Sequence, residues 1–123
     1  KKPKNSDPFL SLMSLTHLNL SHNGLSSVYR GIYGISGLVD LNLGHNVITN
    51  VEEDLSKLTA LTTLSLRQNR LTQEPESKAL SRLRRLTSLD LSYNFIEGLD
   101  GIPPEKALSS LKRCQQLTYL DLS

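Results

Sequence analysis

The chain has 123 residues and a formal net charge of +2, which predicts one compact domain and too little charge for a surface dedicated to nucleic acid or membrane. It has no run of about 18 apolar residues, so no transmembrane helix is predicted. The one cysteine, Cys114, cannot form an internal disulfide, which favours a reducing, cytoplasmic compartment. Leucine occurs 26 times beside two phenylalanines, four tyrosines and no tryptophan, so we expect a core built by repetition.

The chain divides into two parts. Residues 1–8 carry neither an initiator methionine nor an apolar signal sequence, so we expect a linker or the truncated N-terminal side of a longer protein. Residues 9–123 form the repeat domain, with about 4.5 repeats. Because the last repeat stops in the middle of its motif, we expect a fragment of a longer array.

Five segments share the pattern L-x-x-L-x-L-x-x-N, and the fifth stops before its asparagine. They start at Leu15, Leu38, Leu61, Leu86 and Leu117, which lie 23, 23, 25 and 31 residues apart. The pattern is similar to that of the leucine-rich-repeat family, and the resemblance covers everything after about Phe9. It implies an α/β fold: a right-handed solenoid with a curved parallel sheet on the concave side and 3₁₀ or α-helical segments on the convex side. The spacings resemble short typical repeats followed by longer, ribonuclease-inhibitor-like ones.

The spacing of the apolar residues supports the same architecture. In each x-Leu-x-Leu unit the leucines alternate at period two, so both face one side of a strand. Further apolar residues recur six and three positions before each motif: Phe9, Ile32, Leu55, Leu80 and Leu111, then Leu12, Ile35, Leu58, Leu83 and Cys114. Intervals of three predict helical or 3₁₀ return segments packed on the strand leucines.

The return segments differ in length. Segments 24–36 and 47–57 are short, with scattered glycines in the first and room for one helical turn in the second. Ser77 is predicted to cap a helix that reaches Arg85. Pro103 and Pro104 are predicted to open another, which reaches Cys114. The insert 97–104 is predicted to project as a loop.

Each complete motif ends in an asparagine, namely Asn23, Asn46, Asn69 or Asn94. We predict that each amide lies inside the turn after its strand and pairs with backbone groups that the bend leaves without partners. Loss of one would leave buried polar groups unsatisfied, at a cost of about 1–3 kcal/mol. In the family that the chain resembles, the equivalent asparagines form a ladder.

Side chains on the face of the sheet opposite the leucines, here called the open face, are the predicted binding residues. The motif orders them in four columns. The first is His17, Asp40, Thr63, Ser88 and Tyr119, and the second is Asn19, Asn42, Ser65, Asp90 and Asp121. The third is Ser21, Gly44, Arg67, Ser92 and Ser123, and the fourth is His22, His45, Gln68 and Tyr93. Since Tyr and Arg often anchor protein interfaces, we predict contacts by Arg67, Tyr93, Tyr119, Asp90 and Asp121. The alternative is that this face is only solvated.

Asp90 and Asp121 share a column on neighbouring strands, at a predicted separation of roughly 5 Å. Like charges at that distance repel, which costs stability. Our hypothesis is that the pair accepts a lysine or arginine of a partner; the alternative is two solvated acids. His22 and His45 are also neighbours, but a metal site needs three or four converging ligands. We therefore predict no metal, cofactor or catalytic residue.

Two other clusters suggest functions that we disfavour. Segment 31–37 has three glycines, but a phosphate-binding loop must open a helix, whereas this segment leads into the next strand. Five cations lie on the long return segments: Arg82, Arg84, Arg85, Lys112 and Arg113. Such a cluster is typical of surfaces for nucleic acid or acidic membrane. Nearby acids and the small net charge favour a solvated outer face instead.

These features predict a non-enzymatic protein-interaction scaffold that is intracellular and part of a larger protein or assembly. The resemblance leaves two alternatives open: a repeat arm of a kinase, phosphatase regulator or ubiquitin ligase whose catalytic part lies elsewhere, or an extracellular receptor ectodomain. Because uncapped solenoid ends expose leucines and a strand edge, self-association is a further expectation.

Overall fold

The computed structural model describes residues 14–75, 77–96, 118–121 and 123. The predicted domain boundary at residue 9, the loop 97–104 and the helix from Pro103 to Cys114 lie outside the described residues. The strands are β1 (His17–Asn19), β2 (Asp40–Asn42), β3 (Thr63–Ser65), β4 (Ser88–Asp90) and β5 (Tyr119–Asp121). Two 3₁₀ helices (Arg30–Gly34 and Glu53–Lys57) and one α-helix, α1 (Ser77–Leu80), lie between strands.

The strands form one parallel sheet in the order β1-β2-β3-β4-β5. Each strand pairs with the next in full register, so that the central leucines Leu18, Leu41, Leu64, Leu89 and Leu120 follow one another across the sheet. This register is what the repeat predicts, because equivalent motif positions must coincide when identical coils stack. The fold is the predicted leucine-rich-repeat solenoid.

The core lies between the sheet and the return segments. The strand leucines Leu41, Leu64 and Leu89 are at most 1% exposed. The return-segment residues at the predicted three-residue intervals are buried against them: Ile32, Ile35, Leu55, Leu58, Leu80 and Leu83. Leu18 and Leu20, in the first described coil, are only half-buried. The central leucines that have a described strand on both sides are therefore fully buried, as expected when no coil can cover its own leucines.

The return segments are tighter than the sequence suggests. The glycine-containing segment 24–36 holds a 3₁₀ helix, and α1 ends at Leu80, so the predicted helix from Ser77 to Arg85 is wrong. After α1 the chain makes three-residue turns, with hydrogen bonds from Leu83 N to Leu80 O (3.0 Å) and from Leu86 N to Leu83 O (3.2 Å). A three-residue turn keeps every third leucine on one face, whereas in an α-helix with 3.6 residues per turn the leucines of such a series drift progressively around the axis.

The asparagine ladder is confirmed. Asn69 Oδ1 accepts from Ile48 N (3.0 Å), and its Nδ2 donates to Leu43 O (2.9 Å) and Leu66 O (3.0 Å). Asn46 and Asn94 make the equivalent bonds to their own and the preceding coil. Asn23 is the exception, because it is exposed and its Nδ2 bonds only within its own turn, to Leu20 O and Ser21 O.

A second ladder of hydrogen bonds lies at the other end of the strands, and the sequence analysis did not predict it. The threonines that follow the first motif leucine donate through Oγ1 to the backbone carbonyl of the preceding coil. These bonds run from Thr62 to Val39 O (3.2 Å), from Thr87 to Thr62 O (3.1 Å) and from Thr118 to Thr87 O (3.1 Å). The Leu-Thr pair that recurs in the motif is the signal that could have revealed them.

Candidate functional site

The five predicted contact residues all lie on the C-terminal half of the open face. Arg67 lies two residues beyond the end of β3, Asp90 ends β4, and Tyr93 lies in the turn after β4. Tyr119 and Asp121 are the first and last residues of β5. Parallel register places Tyr119 beside Ser88 and Asp121 beside Asp90. The five residues therefore lie on three adjacent coils of one rigid sheet.

Arg67 is held in place by its neighbours. Its Cζ lies 4.5 Å from the centroid of the Tyr93 ring, a cation–π contact, and its Nη1 donates to Ser92 Oγ (3.1 Å). Ser92 Oγ donates in turn to Asp90 Oδ1 (2.5 Å). Since one of five N–H donors is used in this way, the remaining edge of the guanidinium can bind an acceptor of a partner. Little side-chain entropy is then lost on binding, because the rotamer is already selected.

Tyr119 and Asp121 form a hydrogen-bonded pair on β5, in which Tyr119 is exposed and Asp121 is half-buried. The Tyr119 hydroxyl donates to Asp121 Oδ2 (3.3 Å), and the Asp121 carboxylate is the main cause of a raised pKa of Tyr119. Hydrogen bonds from the hydroxyl (2.7 Å) and backbone N–H (2.9 Å) of Ser123 to Oδ1 lower the pKa of Asp121. Arg67 lowers the pKa of both groups by Coulomb attraction, as the smallest of the contributions to each.

The second column has a structural role that the sequence analysis did not foresee. Its side-chain oxygens accept the backbone N–H two residues further on, as Asp90 Oδ1 does from Ser92 N (3.0 Å). The same bond is made by Asn19, Asn42, Ser65 and Asp121. Ser92, predicted to be on the open face, is fully buried. The expectation that open-face side chains are not used in packing is therefore wrong for these positions, because the turn needs an acceptor at each strand end.

The fourth column is a turn position and not part of a strand. His22, His45, Gln68 and Tyr93 all have positive φ, between 51° and 61°. Non-glycine residues seldom adopt this left-handed conformation, so its recurrence shows that the repeat geometry imposes it. As a consequence, these four side chains project from the rim of the sheet, where Tyr93 is 57% exposed.

The structure stacks two of the three histidine rings, those of His22 and His45. The rings of His22 and His45 stack with centroids 4.2 Å apart and an interplanar angle of 13°. His17 lies beside Asp40 in the register, and its Nδ1 hydrogen-bonds Thr16 Oγ1 (2.9 Å). In the part of the chain that the structure describes, no three His, Cys, Asp or Glu side chains converge as metal ligands.

Two apolar features also escaped the sequence analysis. Phe95, two residues beyond Tyr93, is 65% exposed, which is unusual for a large apolar ring. At the opposite end of the array, a cavity of about 630 Å³ opens beside β1, lined among others by Leu18, Leu20, Leu25 and Ile32.

The net charge of the open face has the opposite sign to the net charge of the whole chain. Its four columns carry three acids (Asp40, Asp90 and Asp121) and one cation (Arg67), so with neutral histidines their formal charge is −3 + 1 = −2. The chain as a whole carries +2. Positive charge is therefore concentrated elsewhere, and the open face suits a partner that presents basic groups around one acceptor for Arg67.

Comparison with known proteins gives a consistent result. The family described as "Leucine rich repeat" matches residues 14–71, and "Leucine Rich repeats (2 copies)" matches residues 59–104. Together the matches span residues 14–104, well over half of the 123 residues. No curated protein sequence matches the chain significantly. Among the described residues, no helix has the length and apolar character to cross a membrane.

Two solved structures show the same fold. A leucine-rich-repeat protein of Leptospira interrogans superposes with a TM-score of 0.72 at 22% identity over 93% of this chain. An internalin of Listeria monocytogenes superposes with a TM-score of 0.74 at 27% identity over 94% of it. The chain spans 28% and 31% of the lengths of these two proteins. What the similarity covers is therefore the repeat array and not either whole protein.

Proposed function

Because the chain belongs to the leucine-rich-repeat family, we propose that it is a non-enzymatic scaffold that binds a partner protein through the C-terminal half of its open face. The observation that carries the proposal is the ordered group of Arg67, Tyr93 and Asp90 beside the exposed Tyr119 and the half-buried Asp121. Tyrosine and arginine contribute most often to the energetic centre of protein interfaces. The aromatic rings supply apolar contact area, and the charges supply orientation and specificity.

Asp90 and Asp121, the two acids of the second column, suggest which groups the partner presents to this face. Asp90 and Asp121 are register partners on β4 and β5, and the turn uses only Oδ1 of Asp90. Its Oδ2 and the Asp121 carboxylate lie at the same end of the two strands. A lysine or arginine of the partner placed between them would relieve the repulsion between like charges, which is worth about 0.2–1 kcal/mol for a facing pair.

Asp90→Asn tests this arrangement, because an asparagine Oδ1 still accepts the bond from Ser92 N. We expect higher thermal stability and weaker partner binding. Asp40→Asn is the matched control, since its register partners are His17 and Thr63 and no acid faces it. A loss of stability in Asp90→Asn alone would show that the carboxylate is needed for the turn and does not oppose Asp121.

The whole surface is tested by affinity capture from an extract of the source cells, with quantitative mass spectrometry. The chain is compared with Arg67→Glu/Tyr93→Ala and with the control Arg30→Glu/Tyr29→Ala, which makes the same changes on a return segment. The proposal requires a partner that is lost with the open-face variant and retained by the control. A partner retained by both variants refutes the assignment to this face.

Two further elements of the proposal concern assembly and compartment. The half-buried Leu18 and Leu20 beside β1 support self-association, because part of their apolar surface is exposed to solvent. Sedimentation velocity over a range of concentrations would detect it. The single cysteine supports a reducing, intracellular location for the scaffold.

A further inference from the structure

A strongly basic surface lies on the return segment between β3 and β4. It consists of Lys78, Arg82, Arg84 and Arg85, here called the basic segment, and all four side chains are exposed. The apolar residues among them, Ala79, Leu80, Leu83 and Leu86, are fully buried. The three-residue turns that bury the leucines send the intervening side chains outward, so the core holds the four cations on one side of the coil.

The two preceding return segments place few acids beside this charge. When the repeats are aligned, the positions equivalent to Arg84 in the two preceding return segments are Thr59 and Ser36. Those equivalent to Arg85 are Ala60 and Gly37. The positions equivalent to Arg82 are Lys57 and Gly34. Of the four cations, only Lys78 has an acid, Glu53, at an equivalent position. Within the described ranges the one ion pair is Lys57–Asp54 (3.5 Å), to which the basic segment contributes nothing.

We propose that the basic segment docks an acidic segment of a partner protein, on a surface separate from the open face. Three guanidinium groups can each bind a carboxylate through two parallel N–H···O bonds, which a lysine cannot do. The small residues Ser36, Gly37, Thr59 and Ala60 beside Arg84 and Arg85 leave room for a peptide backbone to approach. Charge complementarity therefore points to a short chain that carries several aspartate or glutamate residues.

The surroundings favour a peptide over a membrane or a nucleic acid. The second 3₁₀ helix, which packs beside α1, carries Glu53 and Asp54 next to Glu52, so a wide anionic surface would meet these acids as well. The basic segment also has no exposed large apolar side chain to enter a bilayer or stack on a base; among the described residues these are Tyr29, Tyr93, Phe95 and Tyr119. A peptide confined to one coil avoids both problems.

The test is fluorescence anisotropy with a labelled peptide of alternating glutamate and glycine, beside the same peptide with glutamine in place of glutamate. We expect saturable binding of the glutamate peptide only, weakened when NaCl is raised from about 20 to about 300 mM. Arg84→Gln/Arg85→Gln should weaken it about tenfold, since two charge-assisted contacts are lost. The control Arg30→Gln/Lys57→Gln removes the same charge from two earlier coils and should leave the affinity within about twofold.

Several results would overturn the proposal. No binding of the glutamate peptide at low salt would do so, as would equal losses in the two double variants, which would show attraction by net charge alone. Tighter binding to phosphatidylserine vesicles or to a single-stranded RNA oligonucleotide, lost in Arg84→Gln/Arg85→Gln, would assign the surface to a membrane or a nucleic acid instead. Circular dichroism of each variant confirms folding, and the exposed positions of the side chains make folding defects unexpected.

Discussion

Asn69 is the most deeply buried member of the asparagine ladder, with 4% of its surface exposed, and its replacement by alanine tests the ladder. The main cost comes from the N–H of Ile48, which donates to Asn69 Oδ1 at 3.0 Å and belongs to a fully buried residue. Leu43 O and Leu66 O keep a second donor each, from the side chains of Asn46 and Asn94. One orphaned donor costs about 1–3 kcal/mol and the two lost bonds about 0.5–1.5 kcal/mol each, so we expect a loss of about 2–6 kcal/mol.

Urea unfolding followed by circular dichroism measures this loss as a shift of the midpoint at constant slope. Asn23→Ala is the matched control, because Asn23 is exposed and its side chain bonds only within its own turn, so the change should cost under about 1 kcal/mol. Equal losses in the two variants would refute the reasoning, since they would show that the asparagine acts through its local turn and not by joining coils.

Other predictions follow from the same contacts. Leu64→Ala should cost about 2–5 kcal/mol and Leu18→Ala distinctly less in urea unfolding, because Leu64 is 1% exposed and Leu18 is half-buried. Thr87→Val should cost about 0.5–1.5 kcal/mol for the bond to Thr62 O, with Thr87→Ser restoring part of it. Because the pKa of Asp121 is lower in the folded chain than in the unfolded one, the carboxylate stabilises the fold above its unfolded pKa and ceases to do so as the pH falls through its folded pKa. Asp121→Asn should therefore flatten the acid side of a plot of melting temperature against pH.

The open face shows how far a repeat motif leads and where it stops. The motif predicts that Asp90 and Asp121 are neighbours, because identical coils must stack in register, and the structure confirms this pairing. It does not predict that Asp90 Oδ1 accepts from Ser92 N or that Arg67 lies on the Tyr93 ring. Those contacts depend on the rotamers of side chains that belong to different coils or to the turn.

The return segments illustrate the same boundary. Leu80, Leu83 and Leu86 at intervals of three point to a segment packed on the core, but spacing alone does not distinguish a longer helix from successive tight turns. The structure shows a four-residue helix followed by turns, because every leucine in the series must reach the core. Helix propensity in the segment Ser77–Arg85 is overruled by packing, as expected where burial contributes more free energy than local preference.

By itself, then, the sequence determined the number of coils, the direction in which their leucines point and the ladder of Asn46, Asn69 and Asn94. These follow from periodicity, since residues that recur at equivalent positions must share one environment in a stacked array. Tertiary structure alone decided which polar side chains are left for a partner. Arg67 is held by Ser92 of the next coil, 25 residues further along the chain, and Asp90 accepts from Ser92 within its own turn. The motif specifies neither contact, because each depends on the rotamers that the folded coils select.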